Sequence, residues 1–296
     1  MVERDGCDRK LSKKSRRSFP CSSSIIIACL QSVFLIFLIT PGCAQLVVNV
    51  KEKGGDVYKE AINANTTAET VTLEFKRSDG TFITQFIDFK NEIQIFKALV
   101  LGEEERGQNQ FQVMCYITRF IKNEFISADA MSKLRQKNPG ALRTPEDDKG
   151  QEKHQKDLLV DVERAEAITP HTSDICGDAK DTTYARDADL KYIAKSLNKD
   201  YAKMLTATSR PTGSVYHSPR CTLVQDLFKS CVCRYELCIG WYPCGLKYCR
   251  GKDNSGKVIS YRCGIKTCKK CRMFEYYVKA KQMCLWDEEE KPVQML

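Results

Sequence analysis

Residues 231–249 read CVCRYELCIGWYPCGLKYC, and residues 261–277 read YRCGIKTCKKCRMFEYY. Tyrosine and tryptophan recur between the cysteines, and with little conventional core available most of them are expected to pack against cystines. Ten of the chain's sixteen cysteines lie within residues 220–296: Cys221, Cys231, Cys233, Cys238, Cys244, Cys249, Cys263, Cys268, Cys271 and Cys284. That density exceeds what a disulfide scaffold requires. Cys268-Lys269-Lys270-Cys271 also has zinc-knuckle spacing, so the choice between thiolate ligands and bridges rests on the compartment. Cys231 and Cys233 are too close to bridge each other without strain, and each needs a distant partner.

The compartment is read from the other end. Residues 1–24 carry seven Lys or Arg against three acids, and IIIACLQSVFLIFLI follows at residues 25–39, then Thr40-Pro41-Gly42-Cys43-Ala44. A basic segment, an apolar segment and small residues at its exit describe a signal peptide over residues 1–44. The alternative is an uncleaved type II anchor. Both place the rest of the chain, at least residues 45–296, in an oxidising lumen, where the cysteines become disulfides and no metal or cofactor is expected. The sequon Asn65-Thr66-Thr67 predicts a glycan at Asn65. Removing the leader takes four of the chain's nine net positive charges with it, so the basic balance does not point to nucleic acid.

Outward from the cysteine-rich end, Thr206–Pro219 (TATSRPTGSVYHSP) reads as a linker. Residues 45–205 then form a first domain and residues 220–296 a second. In the first, Leu46–Val50 and Val57–Ile62 flank a glycine turn, Val71, Leu73 and Phe75 alternate with polar residues, and Phe82–Phe89, Ile93–Leu101 and Phe111–Phe120 continue the strands. Ser127 caps a helix that ends near Asn138-Pro139. Residues 143–157 (RTPEDDKGQEKHQKD) read as a mobile charged loop, Leu158–Val162 as a short strand, and Asp187–Leu205 as an amphipathic helix. The fold class is α+β. Cys115 and Cys176, the remaining pair after leader cleavage, are expected to form a disulfide worth about 4 kcal/mol in the chain-entropy picture. Residues 220–296 carry net charge +7 and residues 45–219 net −2. Lys247, Arg250, Lys266, Lys269, Lys270 and Arg272 therefore make a candidate polyanion site, with heparan sulfate as its partner.

Two family resemblances follow. An Asp after a strand (Asp88 in IDF), a Cys-Tyr strand (MCYITR), a helix (SADAMSKLRQ) and a second Cys-Gly (DICGD) resemble a BRICHOS domain over about residues 46–205. That resemblance implies an antiparallel sheet with flanking helices, a pH-sensitive role for Asp88, and binding of β-prone client peptides through residues such as Phe82, Phe86, Ile93, Ile95 and Phe96. Because the C-terminal segment is a cysteine scaffold, the first region could instead dock on the second or help it fold. The whole chain after the leader more closely resembles the secreted Out at first family, on LGEEERGQNQFQVMCYITRF, AMSKLRQKNP, WYPCGLKYC, YRCGIKTC and CLWDEEE. Against that family's pattern Cys238 and Cys271 are additions, which implies that they pair with each other. The resemblance implies a developmental role and supplies neither receptor nor reaction.

No G-x-S-x-G, H-E-x-x-H, P-loop or G-x-G-x-x-G is present, and three scattered histidines give no acid–base constellation. The expectation is a secreted, extracellular, non-enzymatic binding protein acting on an unknown extracellular partner. The alternatives are a BRICHOS-type chaperone module and a basic cysteine-rich module that binds matrix.

Overall fold

Alternating apolar residues build the first half of the chain. The computed structural model describes residues 44–285 except Lys53, Gly107, Gln108, Lys137, Ser214 and Asp253; the leader expected over residues 1–44 lies almost wholly outside that range. Six strands run as an antiparallel meander: β1 (Ala44–Lys51), β2 (Val57–Asn65), β3 (Thr70–Lys76), β4 (Phe82–Asp88), β5 (Ile93–Leu101) and β6 (Phe111–Arg119). Gly80 turns β3 into β4 at φ 88°, and a Cβ there would sit 2.6 Å from the Leu101 side chain. Four short strands extend the sheet, β7 (Leu142–Arg143) beside β1, then β9 (Leu158–Val160), β10 (Thr183–Ala185) and β11 (Thr208–Ser209) beyond β6, for ten in all.

The central strands bury both faces. On β5 and β6, Phe96, Ala98, Val100, Met114 and Tyr116 enter one core, while Ile93, Ile95, Val113, Cys115 and Ile117 enter another. The second core is closed by helices α2 (Thr172–Cys176), α3 (Asp187–Ser196) and α4 (Tyr201–Thr206), whose Cys176, Leu190, Ile193 and Met204 are buried. The first is closed by a smaller sheet of β8 (Asp147–Lys156), β12 (Cys231–Lys252) and β13 (Val258–Val278), in the order β12-β13-β8. Tyr116 of β6 stacks on Phe274 of β13 with centroids 4.1 Å apart and planes 4° apart. The result is a three-layer α+β arrangement: small sheet, large sheet, helices. Among the described residues no helix is long and apolar enough to cross a membrane.

Several expectations are corrected here. Residues 143–157 are not a loop, because β8 pairs in parallel with β13 from Asp147 beside Cys268 to Lys156 beside Tyr276. Its polar sequence conceals a strand whose charges are met by the hairpin: Lys266 lies 3.0 Å from Asp147, and Lys270 lies 2.8 Å from Glu152. Residues 206–219 are not a free linker. Val215 is buried with Val232 and Tyr277, and a Cβ on Gly213 would sit 2.0 Å from the Tyr277 ring. The two expected domains, 45–205 and 220–296, consequently pack as one compact unit. The long helix at 187–205 is two helices, broken where Asn198 takes φ 51°. The helix capped by Ser127, α1 (Ala128–Ser132), stops short of Leu134.

Candidate functional site

Every cysteine from 115 to 284 is bridged. Cys115 of β6 joins Cys176 of α2, and Cys221 joins Cys231. Cys233 joins Cys284, Cys244 joins Cys268, and Cys249 joins Cys263. Cys238 joins Cys271, the residue directly across the hairpin, with Cα atoms 4.0 Å apart. Glu236, Cys238 and Cys271 gather ligand-type atoms within 4.8 Å, but both sulfurs are oxidised and offer no thiolate.

These bridges stiffen a hairpin longer than the sheet it belongs to. Strand β8 reaches only Cys268 of β13, and the Glu146 N–H before it reaches the Thr267 carbonyl, so residues 258–266 pair with β12 alone and form a two-stranded finger. Tyr248, Val258, Ile259 and Tyr261 are exposed on it. A cavity of about 600 Å³ opens at the base of the finger. Leu46 and Val48 of β1, with Trp241 of β12, are buried and form its floor. Leu134, Leu246 and Ile265 are half-buried walls, the last two directly paired across the hairpin. Lys133, Arg135, Arg143 and Arg262 also line the cavity, and all but half-buried Arg143 are exposed. Lys133 is held by Asp129 at 2.8 Å, and Glu146, the one acid lining the cavity, is held by Lys247 at 2.6 Å.

Strand β1, α1 and β12 were each brought here by patterns unrelated to the site, and the family relation has to be read from the whole chain. The family model described as Out at first matches residues 44–193, and that described as Out at first, C-terminal, matches residues 220–288. The chain belongs to the Out at first family. The Out at first protein of Drosophila virilis is 52% identical over 262 residues, which is 85% of each chain. That of Drosophila melanogaster is 51% identical over 258 residues, 84% of this chain and 53% of the fly protein, so this chain matches about half of that longer relative. No solved structure matches. The two Out at first models meet the chain on either side of the 206–219 strap, although the structure packs both parts around one core.

The residues singled out from the sequence fare differently. Asn65 ends β2 in an exposed turn, where its side-chain oxygen accepts the Ala68 N–H at 3.0 Å. Asp88 is buried at the end of β4. It accepts the Asn91 backbone N–H at 2.8 Å and the Asn91 side-chain amide at 2.6 Å, and His171 Nε2 lies 3.7 Å away. It is therefore a turn aspartate and a buried one at once. The six-residue basic cluster is not an open patch. Lys247, Lys266, Lys270 and Arg272 meet Glu146, Asp147, Glu152 and Glu124, and Arg272 is buried with its guanidinium 4.7 Å from the Phe96 ring centroid. Arg250 is exposed and Lys269 half-buried.

Among the buried ionisable groups that the sequence did not single out are Lys156 and Glu60. Lys156 is fully buried, donates to the Ile117 carbonyl at 2.8 Å, and is pushed down to about 8 by burial, with Asp189 opposing the shift. Glu60 is fully buried on β2, neither carboxyl oxygen has a partner, and burial holds its carboxyl well above the usual range. The alternation that turns Tyr58 and Ile62 inward also turns Glu60 inward, so the register was its signal. Below about pH 4.3 folded and unfolded chains both hold this proton. Above it the unfolded chain ionises and the folded one does not, so stability falls as pH rises. Glu60→Leu is expected to raise stability at pH 7 by about 1–3 kcal/mol and to flatten that decline in urea titrations between pH 4 and 7.

Proposed function

We propose that this chain acts outside the cell as a non-enzymatic binding protein with a developmental role. The observation that carries the reading is the complete pairing of the described cysteines in six bridges. Such a set persists in oxidising compartments and not in the cytosol. The basic and apolar leader of the sequence, the exposed Asn65 sequon and the family's name add to it. The finger supports binding as the mode of action: a cystine-braced hairpin carrying exposed tyrosines offers rigid aromatic area, which interfaces favour.

A protein partner is favoured over the polyanion, because four of the six candidate cations already meet acids of residues 124–152. The BRICHOS-type chaperone reading has less support. Of its candidate contacts Phe82 is exposed, but Phe96 is buried beneath the chain's own hairpin, and Phe86, Ile93 and Ile95 are buried in the core that the helices close. That occupancy fits the reading in which the first region helps to fold the second.

Expression of the full chain in cultured insect cells tests the proposal. The protein is expected in the medium without free thiols, with a mobility shift on enzymatic deglycosylation that Asn65→Gln abolishes. Retention in the cytosol with reduced cysteines would contradict it.

A further inference from the structure

We infer that the cavity at the base of the finger is a binding site for a single-chain amphipathic anion, of the class of long-chain fatty acids. The inference is independent of the identity of the finger's partner. Its first support is the division of the lining into two chemistries. The floor and walls, Leu46, Val48, Trp241, Leu246 and Ile265, are apolar. Arg143 and Arg262 add guanidinium groups that have no acidic partner among the described residues, as does Arg135, whose Nη1 donates to the Ser132 and Leu134 carbonyls at 3.0 Å. The other two charged residues of the lining are answered elsewhere, Lys133 by Asp129 and Glu146 by Lys247.

Guanidinium groups are the side chains best suited to a carboxylate, which they grip through paired N–H donors. Left without an acid beside an apolar floor, three of them make a field that favours an anion whose remainder is hydrocarbon. The Gln136 side-chain amide nitrogen, in the same lining, is shielded from solvent and lacks an acceptor.

The second support is rigidity. Trp241 lies between Cys238 and Cys244, which are bridged across the hairpin to Cys271 and Cys268. The floor is thus held open by covalent ties, and a preformed cavity costs a ligand little ordering. About 600 Å³ lies within the range of single small-molecule sites. The ligand whose two halves match the two halves of this lining is one apolar chain with one anionic head.

Titration of the full secreted chain with oleate, followed by calorimetry and tryptophan emission, tests the inference. Saturable one-to-one binding is expected, weakened at least tenfold in the Arg143→Glu/Arg262→Glu variant and abolished by Thr144→Trp, an exposed lining residue whose indole would fill the mouth. Oleyl alcohol and dodecylamine are expected to bind at least tenfold more weakly than oleate. Circular dichroism and melting of both variants are expected to match the parent. Three results would each overturn the inference: no saturable oleate binding, equal affinity for dodecylamine, or binding that neither variant weakens. Binding that appears only after truncation at Leu285 would assign the cavity to the chain's own acidic tail and overturn it as well.

Discussion

Replacing Phe274 by alanine is expected to destabilise the whole of residues 44–285 by about 3–5 kcal/mol. Phe274 belongs to the cysteine-rich half of the sequence, yet its neighbours belong to the other half. It is fully buried, stacked on Tyr116, with Phe96 at 5.6 Å and the Lys156 ammonium 5.7 Å from its ring centroid. Truncation would remove the ring that joins the two sheets and leave a cavity against Tyr116, Phe96 and His154. Under a shared core, a single transition moves down by roughly 10 °C, and amides of β5 and β6 lose hydrogen-exchange protection together with those of β12 and β13. Two independent domains would instead leave β5 and β6 protected at temperatures where the hairpin has melted.

The double substitution Cys115→Ala/Cys176→Ala is expected to cost about 4 kcal/mol, on the chain-entropy value for a loop of this length. The bridge spans a sequence separation of 61 and has Cα atoms 5.9 Å apart. Inside that loop lie α1, β7, β8, β9 and α2, which ends on Cys176, so the bridge ties to β6 the stretch that crosses from one sheet to the other. Both sulfurs are buried in the helix-side core, and loss of their packing adds to the entropic effect. Chemical denaturation of the variant against the parent measures it. A loss under about 1 kcal/mol would mean that the unfolded chain already holds this loop closed, as residual structure does.

Much of the larger sheet was legible because its chemistry is local. Alternation in Val71–Phe75 and the two-sided apolar run at Ile93–Leu101 follow from which faces are buried, and neighbouring strands in sequence are neighbours in the sheet. The smaller sheet was not legible, for a reason that lies in residue pairs far apart. The acids of residues 143–157 look like a solvated loop when read alone, and the cations of residues 247–272 look like a polyanion site when read alone. Their pairing, Glu146 with Lys247, Asp147 with Lys266 and Glu152 with Lys270, cancels both appearances at once. The cavity was hidden for the same reason, since β1, residues 133–146 and the finger meet only after β8 has crossed between the sheets. Cys238 and Cys271 were paired from family resemblance, whereas the other four C-terminal bridges had no local signal.

Peptide mapping of the unreduced, secreted chain by tandem mass spectrometry tests the central claim most directly. The account predicts six linkages and no free thiol among these cysteines: Cys115–Cys176, Cys221–Cys231, Cys233–Cys284, Cys238–Cys271, Cys244–Cys268 and Cys249–Cys263. Reduced cysteines holding a stoichiometric metal ion, or a pairing that links Cys244 or Cys268 to any other partner, would contradict it.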